Sequence, residues 1–248
     1  MTERVDYDKL WAKEWIELQR IGPLTRTLQR LVIKLIRPYV FEQAELLDVG
    51  CGNASLLARL AEEFPTLRLT GIEGSEQAIS QAPAVVRDKI KHGDLNNGFE
   101  FIDKKFDIIT CTEVLEHLKE YRQALSSIAA HVKDKGCVLI TVPHSMRYWT
   151  QADEFAAHYR RFEYDEFLTD LKTCGLKPVL YFTWGFPFGY VYYKLVTKAD
   201  PSKLMESDES LIKQLAASLA YNLMRVDDLF TGKQWHQLIV IARKAEAI

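Results

Sequence analysis

Residues 46–57 read LLDVGCGNASLL. Leu46 to Val49 has the apolar density of a short buried strand, Gly50 and Gly52 bracket Cys51, and a helical pattern opens after Asn53. Asp48 stands at the end of the strand. Missing side chains at the glycines permit unusual backbone angles and the close approach of a ligand, and the start of the helix offers amide donors without partners of their own. A strand, a glycine turn and a helix in that order predict a cofactor site, and the residue types narrow it. A phosphate loop needs lysine and then serine or threonine after its last glycine, where this chain has Asn53-Ala54. A dinucleotide turn wants glycine or alanine against the helix, and Asp48 would set a negative charge beside its pyrophosphate. The carboxylate suits a cationic or amine-bearing ligand instead.

Around this stretch the chain alternates. Strand patterns at 46–49, 67–72, 89–92, 106–111 and 137–142 are separated by helical patterns at 54–64, 76–82 and 121–133, which predicts a layered sheet with crossover helices on both faces. FEYDEFLTDLKTCG at 162–175 adds an amphipathic helix closed by glycine, LKPVLYFTW at 176–184 a strand, and QWHQLIVIARK at 234–244 a last, strongly apolar strand. The connection between those two strands, from GFPFGYVYYKLV through a helical stretch at 208–225, is too long for an ordinary loop and is expected to fold as a cap. Its Leu211, Leu215, Leu219 and Leu223 form a stripe that needs a partner surface. Upstream, 11–38 reads as helical with a break at Gly22-Pro23. Leu28, Leu31, Val32, Leu35 and Ile36 share one face, Arg26, Arg30, Lys34 and Arg37 occupy an exposed basic side, and Tyr7, Trp11 and Trp15 could cover a cleft. The expected organisation is a helical lid at 1–40, a core at 41–184, a cap insertion at 185–233, and a final core strand and tail at 234–248.

Composition sets outer limits. The 248 residues are 48% hydrophobic, enough for a substantial core, and the formal charge of -2 with no dense lysine or arginine block does not recommend nucleic acid as a partner. Cys51, Cys111, Cys137 and Cys174 are scattered, without metal-knuckle or disulfide-framework spacing. MTERVDYDKL lacks the apolar centre of a signal peptide, and no apolar run approaches the roughly 20 residues of a membrane span. A cytoplasmic protein without stable membrane insertion is expected; its oligomeric state is not legible.

The second and third strands extend the cofactor reading. LTGIEGS at 69–75 sets Glu73 at a strand end, where a carboxylate can accept both hydroxyl hydrogens of a ribose, and KHGDLNN at 91–97 sets Asp94 where it could receive an adenine amino hydrogen beside Leu95. Together LDVGCGNA, GIEGS, HGDL and FDIITCTEVLEHL resemble the class I S-adenosylmethionine-dependent methyltransferases over about residues 44–145, with EVLEHL and HYRRFEYDEF most like the small-molecule enzymes of quinone and natural-product pathways. The resemblance implies an α/β, Rossmann-like, seven-stranded, mostly parallel sheet whose last strand runs antiparallel. It also implies S-adenosyl-L-methionine as cofactor, held by Asp48, Gly50, Cys51, Gly52, Glu73, Gly74, Asp94, Leu95, Thr112 and Glu113.

Methyl transfer needs an aligned nucleophile and, for many acceptors, a place for its proton. His117 is the expected general base, supported by Glu113 and Glu116, with His144 as the alternative; Arg147, Tyr148 and His158 are expected to contact the acceptor. The same cluster could form half a metal site, although no metal is assigned. Metal-dependent RNA 2'-O-methyltransferases share the glutamate spacing and adjacent histidine, but here Ala157 and Arg160 stand where their further histidines would be, with His158 between them. The leading expectation is transfer to a small-molecule acceptor, at a hydroxyl oxygen. A protein, peptide or RNA acceptor, transfer to carbon or nitrogen of a small molecule, and a scaffold that binds cofactor without transfer are the competing readings.

Overall fold

In the computed structural model, residues 22–99, 102–196 and 211–245 are described. Strands β1 (Glu45–Val49), β2 (Arg68–Glu73), β3 (Ile90–His92), β4 (Phe106–Thr112), β5 (Val132–Pro143), β6 (Leu176–Trp184) and β7 (Gln237–Lys244) form one sheet in the order β3-β2-β1-β4-β5-β7-β6. β1 pairs in parallel with both β2 and β4, β2 with β3 and β4 with β5, whereas β7 runs antiparallel to both neighbours. The chain winds outward from β1 to β3 and then restarts on the other side at β4. The carboxyl ends of β1 and β4 therefore flank a crevice at the point where winding reverses.

The central strands read as continuous apolar runs because both faces are covered. Leu47, Val49, Ile109, Val138 and Ile140 face one layer, where they pack with Leu125 and Ile128 of helix α5 (Tyr121–His131) and Phe167 and Leu171 of α7 (Tyr164–Thr173). Leu46, Ile108 and Leu139 face the other, against Val32 and Ile36 of α1 (Pro23–Ile36) and Leu57 and Leu60 of α2 (Ser55–Glu63). Short helices α3 (Glu76–Ser80), α4 (Ala84–Arg87) and α6 (Gln151–Phe155) complete the core. The insertion between β6 and β7 carries α8 (Phe188–Val196), α9 (Leu211–Met224) and a 3-10 turn at Val226–Leu229.

Gly22-Pro23 marks the start of α1, with proline in the first turn, where its missing N–H costs no hydrogen bond. The residues before it, including Tyr7, Trp11 and Trp15, lie outside those described. The basic side of α1 is free only in part, with Lys34 and Arg37 exposed. Arg30 makes a two-pronged ion pair with Asp228, both N–O distances 2.8 Å; Lys34 adds a contact at 3.2 Å; and Arg26 lies over the Tyr221 ring. The leucine stripe of α9 also differs from expectation: Leu215 and Leu219 are 69% and 61% exposed. α9 docks instead through Met224, which is buried with Leu31, Trp184 and Ile239, and through Tyr221 beneath Arg26. The helix turns these residues inward because α1 already offers apolar and guanidinium surface there.

The Arg30–Asp228 pair is half-buried, so it should count for more than an exposed ion pair. Burial pushes the Asp228 carboxyl up, but the Arg30 hydrogen bonds and charge outweigh it and hold the group below its usual range. Asp228→Asn is expected to lower unfolding stability by about 1–3 kcal/mol, and Lys34→Ala by less than about 1 kcal/mol. Urea denaturation of both variants checks the difference, and equal effects would contradict this role for the pair.

Candidate functional site

The carboxyl ends of β1, β2 and β4 open into a cavity of about 990 Å³, roofed on one side by Leu24, Leu28 and Val32 of α1. Asp48, Gly50, Cys51, Gly52, Glu73, Gly74, Asp94, Leu95, Thr112 and Glu113 all line it, as do His117 and His158. The sequence order of these residues becomes a ring in space because parallel strands end on the same edge of the sheet.

The glycine turn is fixed by its surroundings. Gly50 has φ of +69°, and a Cβ there would lie 2.5 Å from a Val114 methyl group. The amides of Gly50 and Cys51 both bond the Ile72 carbonyl, at 2.9 and 3.0 Å, and Gly52 donates its N–H to Glu73 at 2.7 Å. Glu73 also accepts from the Ser75 amide at 2.9 Å. It thus locks the turn to the end of β2 while its oxygens keep acceptor capacity toward the cavity. Asp94 accepts from the backbone and side-chain nitrogens of Asn96, both at 3.0 Å, which caps the following 3-10 turn.

Asp48 is buried with one side-chain partner, the Thr110 hydroxyl at 2.7 Å. Burial raises its carboxyl to about 7, only partly offset by that bond, and the Glu73 charge adds to the rise. Burial raises Glu73 as well, against its backbone bonds. Carboxylates stripped of water beside a cavity favour a positively charged ligand.

A second cluster forms beside the cavity where the loop after β4 meets the segment after α6. Glu113 has φ of +54°, and its carboxylate accepts from the Thr141 hydroxyl at 2.8 Å and from Gln237, so it is drawn toward β5 and β7. Leu115–His117 is a 3-10 turn. The Tyr159 amide donates to the Glu116 carbonyl at 2.8 Å, docking the His158 segment alongside. The Nε2 atoms of His117 and His158 each lie 4.0 Å from the same Glu116 oxygen. The imidazoles meet edge to face at 4.6 Å. Glu116 is fully buried, and among the described residues neither of its carboxyl oxygens has a hydrogen-bond partner. Burial, and then the Glu113 charge, push its pKa well up.

Burial, with the neighbouring His158, lowers His117 to about 3, partly countered by a hydrogen bond to the Ala156 backbone. His117 therefore reaches the pocket as expected, but without direct hydrogen-bond support from Glu116, and as a neutral ring it is a weak proton acceptor by itself. His158, expected as an acceptor contact, turns out to share the cluster with it. The structure does not bring the remaining candidates to the cavity. His144 is buried against the β7 entry, with Nδ1 2.6 Å from the Trp235 carbonyl. Tyr148 donates to the Gln234 carbonyl at 2.6 Å, and Arg147 bonds the same carbonyl. These residues staple the loop after β5 to the strand beside it. Sequence reasoning passed over Gln29, Ser55 and Tyr159, which also line the cavity. Gln29 bonds Ser55 at 2.8 Å from α1, and no local motif marks it.

Residues 17–180 match the family model described as a methyltransferase domain. The ubiquinone biosynthesis O-methyltransferase of Rickettsia felis is 28% identical over 137 residues, which cover 53% of this chain and 54% of the relative. The chain thus spans about half the length of the curated relatives it matches. Among solved structures, phosphoethanolamine N-methyltransferase 2 of Haemonchus contortus, in complex with phosphomonomethylethanolamine and S-adenosylhomocysteine, superposes with a TM-score of 0.65 at 16% identity, covering 99% of this chain and 62% of the other. The cyclase SpnF superposes at 0.61 with 18% identity, covering 89% and 81%. These likenesses at low identity concern the fold, and the family match rests on the stretch that builds the cavity: the chain belongs to the methyltransferase domain family.

Proposed function

We propose that this protein is an S-adenosylmethionine-dependent methyltransferase that acts on a small molecule bearing a hydroxyl or amine nucleophile. One observation carries the reading. A single cavity joins the glycine turn, Glu73 and Asp94 to His117 and His158, behind which the buried Glu116 converges on them, at a volume at the upper end of the roughly 300–1,000 Å³ usual for small-molecule sites. The first half suits the cofactor. Asp48 and the turn would take its amino-acid part, Glu73 the ribose hydroxyls and Asp94 the adenine amine. The second half supplies lone pairs that want a donor, which an acceptor O–H or N–H would provide.

The cofactor brings an electrophilic sulfonium methyl; the chain aligns the nucleophile in line with it and excludes water. The proton leaving the acceptor passes to the Glu116, His117 and His158 cluster, with His117 as one member of a group and not the sole base. The hydroxyl oxygen first expected from the sequence is not singled out, since the comparisons include both an O-methyltransferase and an N-methyltransferase. Either atom meets the requirement that a proton be removed. Transfer of labelled methyl from S-adenosylmethionine across phenol, alcohol, amine, protein and RNA pools, followed by mass spectrometry, tests the proposal. Label in RNA or protein alone would overturn the small-molecule reading.

A divalent cation at the cluster is the second reading, favoured by the orphaned buried carboxyl of Glu116. The nearest ligand atoms of Glu116, His117 and His158 lie within 4.8 Å of one another. A carboxylate oxygen and imidazole nitrogens suit zinc or a similar ion, which would polarise the acceptor oxygen when bound. Chelator treatment should then abolish transfer and zinc restore it, whereas Glu116→Gln should resist rescue. Undiminished activity after exhaustive chelation would eliminate this reading.

Two outcomes test the cofactor end. Glu73→Ala removes a charged acceptor whose hydrogen bonds are each worth about 1.5–3 kcal/mol, so calorimetry should show affinity for S-adenosylmethionine falling at least about tenfold. Unchanged affinity in the folded variant would contradict the ribose assignment. An ammonium group beside Asp48 would lower its pKa from about 7, so cofactor binding releases a proton. Affinity should therefore rise with pH up to about 7 and level off before the ligand's own amine deprotonates near about 8. Asp48→Asn should flatten that slope; a wild-type affinity independent of pH between about 5.5 and 7 would contradict the contact.

A further inference from the structure

Asp153 lies outside the cavity lining, yet it touches a member of the convergent cluster. It sits in α6, 1% exposed. One of its oxygens accepts from His158 Nδ1 at 2.9 Å and from Arg161 Nε at 2.8 Å. The other accepts from Arg161 Nη2 at 3.1 Å, the Thr150 amide at 2.8 Å and the Thr150 hydroxyl at 3.2 Å. Both oxygens are thus fully engaged, three of the five contacts come from groups that can only donate, and although burial pushes the carboxyl up, His158 and Arg161 hold it below its usual range and so ionised. An ionised carboxylate only accepts, so in a neutral His158 ring the hydrogen must sit on Nδ1 and the lone pair on Nε2.

We propose that Asp153 is a positioning residue for methyl transfer: it fixes His158 in the Nδ1–H tautomer and holds the Nε2 lone pair toward the point where Glu116 and His117 converge. The inference rests on the proposed methyltransferase reading and adds to it the element that orients the cluster. The backbone is bent to serve this geometry. Ala157, immediately before His158, has φ of +57°, and the His158 amide returns to the Asp153 carbonyl at 2.9 Å. A non-glycine residue in that region is strained, and such strain persists only where the surroundings over-determine it. Asp153 is itself braced. Arg161 is buried, and the Tyr193 hydroxyl, from α8 of the insertion, lies 3.3 Å from its Nη2. The insertion therefore reaches the cluster through Arg161 and Asp153. Fixing a tautomer serves either use of the lone pair, taking a proton from the acceptor or holding a cation, because each needs an unprotonated Nε2. A carboxylate that only anchored the loop would be satisfied by Arg161 and Thr150 and would have no need to select one ring nitrogen.

The test combines spectroscopy with a mutant cycle. In protein labelled with ¹⁵N-histidine, long-range proton–nitrogen correlation at about pH 8, with His158 assigned through His158→Gln, should show a protonated Nδ1 and a bare Nε2. Asp153→Asn, which turns an amide toward at least one of these donors, should shift the ring to a mixture or to the other tautomer. It should also lower kcat for the acceptor identified in the labelling screen about 10- to 100-fold while leaving cofactor affinity within about threefold. Glutamine at 158 presents a polar atom without needing Asp153, so adding Asp153→Asn to His158→Gln should cause no further loss. A wild-type ring protonated on Nε2, an unchanged tautomer in folded Asp153→Asn, or multiplicative losses in the double variant would each overturn the proposal. The wild-type spectrum decides even if Asp153→Asn does not fold. Failure of the underlying functional reading looks different: wild-type protein would show no cofactor binding or no transfer, whatever its tautomer.

Discussion

The structure is organised around the cost of keeping carboxylates out of water beside a single cavity. Asp48 has one side-chain donor, and Glu116 has none that reaches its oxygens. Desolvating a charge without compensating bonds is among the most unfavourable things a fold can do. A protein of ordinary marginal stability retains such groups where a ligand or proton completes them. Under the proposed function, a cationic group of the cofactor would complete the turn end, and a donor hydrogen or a metal the histidine end. The carboxylates are raised for the same reason, burial; Asp48 lines the cavity, and Glu116 lies behind the two histidines that line it.

Three of the five described non-glycine residues at positive φ adjoin the site. Ala54 at the start of α2, Glu113 after β4 and Ala157 before His158 all adopt positive φ without being glycine. Such conformations cost about 1–3 kcal/mol apiece, which the large apolar layers on either face of the sheet can sustain. Rigid packing behind the site and strain in front of it are complementary. The strands fix where each loop begins, and the strained residues fix where its side chain points.

The insertion and α1 act together rather than as separate covers. Arg30 and Lys34 hold Asp228, Met224 fills a gap beside Leu31, and Tyr193 reaches Arg161. A wall of the cavity is therefore linked through packed side chains to the Glu116, His117 and His158 cluster. The same fold also serves a cyclase, SpnF, so the chemistry is decided by the residues of the site and not by the fold alone.

Much of this was legible in the sequence. The glycine turn, Glu73 and Asp94 at strand ends, the seven-stranded mostly parallel sheet and the antiparallel last strand follow from local patterns and a family resemblance, because parallel strands necessarily deliver their ends to one edge. Contacts between residues distant in sequence were not legible. His144, Arg147 and Tyr148 have the right chemistry at the right edge, but hydrogen bonds to the carbonyls of Gln234 and Trp235 draw them aside, and no pattern in the sequence announces those carbonyls. The basic face of α1 reads as solvent-exposed until Asp228 arrives from the insertion. The α9 stripe reads as buried until Met224 and Tyr221 take the interface. The nearness of His158 to His117 depends on one backbone bond from Tyr159 to Glu116 and on Ala157 holding an unfavourable angle. The sequence determined the residue types and the strand ends they follow, because strand and helix periodicities are local. Tertiary structure alone decided which side chains face one another, because that is settled by packing and by competition for hydrogen-bond partners among residues far apart in the chain.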